Sequence, residues 1–530
     1  MRRLTALLIV VLFFSASCQK QEKAELERLQ QEADRLQQEM AGTGAPESGV
    51  FVSENAEFFI DFDKDRYGID AGSTVSVHYT LPQAATLEVI TKEGWSAVVN
   101  ATGDKEGIIV INAPDPATSS DIVVKAITAN GAGLAVNLPI MVRDPYTDAT
   151  RTDVAAMGYF CFNTELATDY NFKMMAEAGF NMLSVEYVDN WKEQLDLAHK
   201  YGLKVVLFIN VPAGEYYESG GTSPTLKETI DYAKNHPALA AYQIIDEPSV
   251  KWLDYVYYQR KAVREMDPDH PVYINLGPSN ASSWTYGVET FEEYAETYVR
   301  DCEFDILTFD QYPVYTYGID PSWFRSLAVY FRLCKQYNIP LWAFTLSCRE
   351  ISREDPTLEN IRLQCNVNLA YGAQVNQYFV YRNTSGTNYC PLVVDWSTGI
   401  ASYTEVYDFC KQYNHEMHNR GFVFADCNVT KICNPGVFDA WVDVFNPKDL
   451  PPQIKNLSAE EETLISFIEN RGNEYVVVVN KLWKKPQKVG LELNDMVYMI
   501  DREGQFTEYQ PGVYPDIQID PGDMLVIKVK

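Results

Sequence analysis

The chain has 530 residues, a formal net charge of −29 and an aromatic content of 13%, with 34 Tyr and 9 Trp. That length exceeds one typical domain and suffices for three. Phosphate recognition needs clustered cations, so an acidic chain with no Lys/Arg run in its folded region excludes nucleic acid as a partner and leaves neutral ligands open.

The first residues read as an address. Arg2 and Arg3 precede an apolar run over 4–14, followed by Ser15-Ala16-Ser17-Cys18. This pattern resembles a bacterial lipoprotein signal. The resemblance implies that residues 1–17 are removed and that Cys18 becomes the lipidated N-terminus. The protein is then expected in the bacterial cell envelope, anchored to the outer membrane and facing the periplasm or the surface. A transmembrane helix is the alternative, and the run is short for one.

Residues 18–49 form the next segment. Leu26, Leu29, Ala33, Leu36 and Met40 recur at intervals of three and four among charged residues. That is a heptad seam too short to fix a coiled coil, so a helical spacer and weak oligomerisation through 24–40 both stay open. A small-residue linker follows over 41–49.

From 50 to 148 the pattern has period two, with apolar stretches around Val75, Val77 and Tyr79 and at 108–111, 122–127 and 134–140. An Ig-like β-sandwich fits. From 149 to 420 short apolar strands alternate with amphipathic helices. The expected strands are 158–162, 182–185, 204–209, 240–245, 271–274, 306–309, 341–346 and 375–380. Eight such units predict a (β/α)8 barrel of the α/β class. Period two returns over 421–530, with strands at 464–468, 475–479, 489–493 and 524–529, and predicts a second β-sandwich.

Barrel sites lie at the C-terminal ends of the strands, and polar residues follow all eight. They are Asn163, Glu186, Asn210, Asp246 with Glu247, Asn275, Asp310 with Tyr312, Ser347, and Tyr381 with Arg382. No strand end carries Lys, which removes a Schiff-base aldolase. The six His lie away from strand ends, so neither a metal centre nor a His-based triad is expected, and no cofactor is called for. Carboxylates, amides and phenols remain, the set used in glycoside hydrolysis. Trp284, Tyr286, Tyr315, Tyr317 and Trp396 fall in expected mouth loops, where rings stack on sugars as readily as they pack. Of Arg362 and Gln364, one reads as a barrel strut. The nine cysteines besides Cys18 show no metal spacing; Cys427 and Cys433 are a candidate pair.

The runs Tyr242-Gln243-Ile244-Ile245-Asp246-Glu247-Pro248, Tyr273-Ile274-Asn275, Phe309-Asp310-Gln311-Tyr312-Pro313, Trp342-Ala343-Phe344 and Gln377-Tyr378-Phe379 resemble the glycoside-hydrolase-like barrels of envelope lipoproteins. These are distantly similar to clan A β-galactosidase-type enzymes. The resemblance implies a carbohydrate substrate and places Glu247 at the position of the general acid after strand four. It also implies a carboxylate at the end of strand seven, where this chain has Leu346-Ser347-Cys348 and no acid before Glu350. Clan A has Asn where this chain has Asp246.

Three ways of completing the chemistry stay open. Glu350 reaches in from its loop; Asp310 or Glu186 serves as base or stabiliser; or the substrate supplies its own nucleophile. The third rests on a resemblance to barrels that cleave N-acetylhexosaminides, in which the Asp of an Asp-Glu pair orients the acetamido group. Expected catalytic residues are thus Glu247, Asp246 and Asp310. Expected substrate-binding residues are Asn163, Glu186, Asn210, Asn275, Tyr312, Tyr381, Arg382 and Trp284. The alternative is a non-catalytic glycan-binding or envelope-assembly lipoprotein on a degenerate barrel. For Asp246-Glu247-Pro248 itself, the alternative is a helix start favoured by the dipole.

Overall fold

The computed structural model describes residues 60–529 apart from 63–66, 70, 71, 73, 104, 115–119, 130–132, 143–153, 187, 210–223, 383–392, 396–400, 437–440 and 461. The expected leader, the Cys18 anchor and the spacer with its heptad seam lie outside the described residues. Among the described residues no helix is long and apolar enough to cross a membrane.

The chain divides into two compact units, the first gathered from 76–111 and 121–139 with the chain before 65, the second running from 140 onward with short earlier pieces. The N-terminal strands form two four-stranded sheets. One runs in the order 61–62, 74–80, 106–112, 96–101; the other runs 67–69, 133–142, 120–128, 85–90. Alternation fixes their faces: Val77, Tyr79, Ile109, Ile111, Ile122, Val124 and Ala126 are buried while their neighbours are less so. Strands Ala85–Ile90 and Ser96–Ala101 escape the sequence reading because neither buries a side chain fully.

The second unit holds a closed barrel of eight parallel strands. These are β1 (Ala155–Gly158), β2 (Met182–Val185), β3 (Lys204–Phe208), β4 (Leu239–Asp246), β5 (Val272–Leu276), β6 (Leu307–Phe309), β7 (Leu341–Leu346) and β8 (Val375–Phe379). Each pairs with the next, and β8 closes on β1 with Gln377 opposite Met157. All eight were legible as apolar runs; β1 alone is displaced. Its four residues are all buried, and the run 158–162, which reads as more strand-like, leaves the sheet after Gly158 and turns at Phe160, whose φ is 51°.

The barrel interior is unusually polar. Gln243 Nε2 donates to the Tyr159 hydroxyl at 3.0 Å, and the Tyr273 hydroxyl donates to Gln243 Oε1 at 3.3 Å. Such bonds are what keeps most buried amides and hydroxyls tolerable in a core, since an unmade hydrogen bond there costs about 1–3 kcal/mol.

Beyond the barrel, a seven-stranded and a three-stranded sheet build the C-terminal sandwich around Val476, Val478, Leu491 and Ile527. It shares its other core with the barrel. Helix α1 (Leu358–Ala370) is buried along residues 360–370, so it shows no polar face. Asn366 donates to Gly522 O at 2.9 Å, and Ser466 Oγ donates to Ala370 O at 2.7 Å, across that boundary. Both Arg362 and Gln364 are struts. Arg362 forks onto buried Glu416 of α2 (Glu405–Asn419), with Nε to Oε2 at 2.8 Å, and Gln364 receives the Leu346 N–H at 3.0 Å. The expected Cys427–Cys433 pair does not form: both are free thiols, and burial pushes each up to about 12.

Candidate active site

Asp246 and Glu247 owe their position to a bulge. Gln243 pairs with Tyr273 and Asp246 with Asn275, so β4 carries one more residue than β5 between those pairs. Without it, Asp246 would share the outward face of Tyr242 and Ile244. The extra residue re-aims it inward, beside Asn275, whose Nδ2 donates to Asp246 Oδ1 at 3.0 Å. Glu247 follows in the left-handed region with φ 41°, a conformation that costs a non-glycine residue about 1–3 kcal/mol. Its N–H donates to Asn275 O at 2.9 Å, which holds that conformation in place. Gly277 leaves the carboxylate its space: a Cβ there would lie 3.3 Å from Glu247 Oε1.

Asp310 stands one residue past β6, its N–H donating to Leu276 O at 3.3 Å, and its carboxyl is within electrostatic reach of Glu247 and Asp246. Burial pushes the Asp310 carboxyl well above the usual carboxylate range, and the charges of Glu247 and Asp246 push it further. Its Oδ1 is buried without a hydrogen-bond partner among the described residues. Asp246 is raised as well, by crowding of protein around it and by Glu247, against the opposing Asn275 bond. Asp246 and Glu247 are both exposed at the mouth, so protein crowds them without sealing them from water.

Behind this group runs a relay across the barrel. Gln377 Nε2 donates to Thr308 Oγ1 at 2.6 Å, and Thr308 Oγ1 donates to Asn275 Oδ1 at 3.4 Å. Asn275 is thereby oriented with its amide nitrogen toward the acids. The sequence signal was present as Gln, Thr and Asn inside apolar strands, but their pairing across β5, β6 and β8 needs the register.

A second polar group lies past β2 and β8. Glu186 accepts from the Ser184 hydroxyl and, at 3.2 Å, from the Phe160 N–H. Loss of hydration pushes it up to about 7, opposed by those bonds and by the charge of Arg382. Arg382 Nε donates to Cys161 O at 3.2 Å. The Tyr159 hydroxyl is within electrostatic reach of both Asp246 and Glu186.

The end of β7 is different. Leu346, Cys348 and Val380 are buried together, with Phe160, Tyr312 and Phe379 packed on them, and Tyr312 stacks on Phe379 at 5.4 Å. An apolar wall stands where clan A would place a carboxylate. Glu350 is partly buried and bears electrostatically on Cys348, and nothing brings it to Glu247.

Three expected binding residues are placed otherwise. Asn163 lies five residues past β1 and accepts the Leu166 N–H at 2.9 Å, a turn role. Tyr381 is fully buried between Phe162 and Phe180, a core residue. Trp284 is 70% exposed on a short helix after β5. Asn210 and Trp396 lie outside the described residues. Tyr286 is buried and donates to Pro278 O at 2.6 Å. Among the described residues no group of His, Cys, Asp and Glu is arranged to hold a metal ion.

No family model matches the chain, and no curated protein matches it. Among solved structures, a β-galactosidase from Bacillus circulans sp. alkalophilus is similar over 71% of this chain and 99% of its own, at 9% identity and a TM-score of 0.47. A glycoside hydrolase family 5 protein from Bacteroides vulgatus is similar over 71% and 88%, at 12% identity and a TM-score of 0.46. A β-galactosidase from the psychrophilic Marinomonas ef1 is similar over half of this chain, which spans 60% of that protein's length, at 12% identity and a TM-score of 0.39. The barrel assignment rests on the strand pairing itself.

Proposed function

We propose that the protein is a glycoside hydrolase acting on an oligo- or polysaccharide, with Glu247 as the general acid. One observation carries the reading: Asp246, fixed by Asn275, stands with Glu247 at the C-terminal end of β4 in a closed barrel, with Asp310 just past β6 within electrostatic reach of both. In this reading Glu247 delivers a proton to the glycosidic oxygen as the C–O bond breaks, and Asp310, whose carboxyl burial keeps protonated, resupplies it. Ionised Asp246 steadies the positive charge that develops on the sugar ring, and the proton of the incoming water returns to the pair. Together with the lipoprotein-like leader, this reading makes the protein an envelope enzyme tethered through Cys18.

The apolar end of β7 favours a second reading, a glycan binder on the same barrel. Hydrolysis of a panel of aryl glycosides, N-acetylhexosaminides included, by wild type and by Glu247→Gln separates the two. Turnover abolished by the substitution supports the enzyme; turnover that survives it removes Glu247 from the mechanism; no turnover on any glycoside supports the binder.

A further inference from the structure

Past β6 the chain forms a two-strand hairpin, Val314–Tyr315 with Gly318–Ile319. The loop that follows β7 joins it edge on: Glu354 N–H donates to Val314 O at 3.0 Å, Thr316 N–H donates to Ser352 O at 3.3 Å, and Tyr315 bridges Arg353. At this seam three side chains stack. The Arg353 guanidinium lies 3.7 Å from the centre of the Tyr315 ring, and Tyr315 stacks on Tyr317 at 5.0 Å with 27° between the planes. Tyr317, at the end of the stack, is 80% exposed.

The platform is held from two sides. Lys484 of the C-terminal sandwich contacts Glu354 at 2.9 Å, and Arg349 forks onto Asp355 at 2.7 and 2.8 Å within the β7 loop. On the other side Asn280 donates to Asp320 at 2.9 Å, tying the hairpin to the loop after β5 that carries Trp284. A Tyr held in a fixed orientation loses little entropy on meeting a ligand, and its ring face suits the C–H face of a pyranose.

We propose that Tyr317, supported by Tyr315 and Arg353, is a stacking subsite for a sugar unit of a glycan chain that runs outward from the carboxylates. The occupant follows from the elements that carry the ring: the hairpin begins four residues after Asp310 and its seam is made by the loop after β7, so the stack belongs to the loops of the barrel mouth. Arg353 is engaged under Tyr315 while Tyr317 is 80% exposed, so what the stack presents outward is an aromatic ring, which suits the C–H face of a pyranose. The inference rests on the proposed carbohydrate site and adds that its ligand is several units long.

The test uses the full-length Glu247→Gln protein, which separates binding from turnover, titrated by calorimetry with cello-, xylo-, galacto- and chito-oligosaccharides of two to six units. Adding Tyr317→Ala is expected to weaken binding of the longest ligand roughly five- to tenfold and that of the disaccharide less than twofold, while Tyr317→Phe retains affinity. Equal losses at all lengths, no loss at any length, or no binding of any member at millimolar concentration overturns the subsite. Length-dependent loss in a protein whose wild type hydrolyses nothing upholds the subsite and rejects hydrolysis. Turnover with no effect of Tyr317 does the reverse.

Discussion

The mouth of this barrel has two unlike halves. At the ends of β4, β5 and β6 stand Asp246, Glu247, Asn275 and Asp310, with Asn275 bonded to Asp246 and backed by Thr308 and Gln377. At the end of β7 and beside it on β8 stand Leu346, Cys348, Phe379 and Val380 in an apolar cluster around buried Ser347. The halves share one scaffold, so the difference lies in side chains. It teaches that the chemistry proposed for this chain has to be carried by the carboxylates of β4 and β6. Retaining and inverting pairs are usually about 5–5.5 Å and 6.5–9.5 Å apart.

If that division holds, Glu247→Gln has the largest effect: kcat on a responsive glycoside falls about 10²–10⁴-fold with the melting temperature unchanged. A kcat within tenfold of wild type would break the comparison at its centre. On the other half, Leu346→Ala removes a buried side chain and is expected to cost about 2–5 kcal/mol in urea unfolding while kcat changes little. A large loss of kcat in folded protein would put the apolar wall in the chemistry.

Glu186 sharpens the picture through pH. Its carboxyl is raised from 4.5 to about 7 in the folded chain, so the folded state holds the proton more tightly than the unfolded one. The stabilisation is complete below pH 4.5 and is lost as pH rises through about 7. It amounts to roughly 2–3 kcal/mol at full burial, trimmed by the side chain's partial contact with water. Thermal unfolding from pH 4 to 8 is expected to show this decline, and Glu186→Gln to flatten it; an unchanged slope would assign it to other groups. The smallest effect belongs to Asn275→Ala, which leaves Asp246 without its amide donor and lowers kcat/KM by about 1–3 kcal/mol of transition-state stabilisation. An unchanged kcat/KM would reduce Asn275 to a structural part.

The barrel was legible because its strands are short apolar runs with polar residues after them, a local pattern. Strand one was misplaced because Ala155-Ala156-Met157-Gly158 is short and mostly small residues, and the aromatic run behind it looks more like a strand. The pair Asp246-Glu247 was legible at the end of β4, but not the bulge that aims Asp246 inward, since that depends on how β4 and β5 count against each other. The approach of Asp310 to Glu247 and the contact of Arg362 with Glu416 join residues far apart in sequence and leave no local trace. Tyr381 and Asn163 show the opposite effect: a polar residue near a strand end serves core or turn, as Tyr381 packs between Phe162 and Phe180 and Asn163 accepts the Leu166 N–H.

Helix α1 has a consequence for how the protein can be taken apart. A helix with no solvent face belongs to neither neighbour alone, and its Asn366 bond to Gly522 fastens it at a point where even a Cβ on Gly522 would lie 2.0 Å from Glu359 O. The C-terminal sandwich is therefore not a detachable module. A barrel truncated before 421 would expose this helix to water along its length and aggregate, and grafting a foreign accessory domain would require recutting the helix itself.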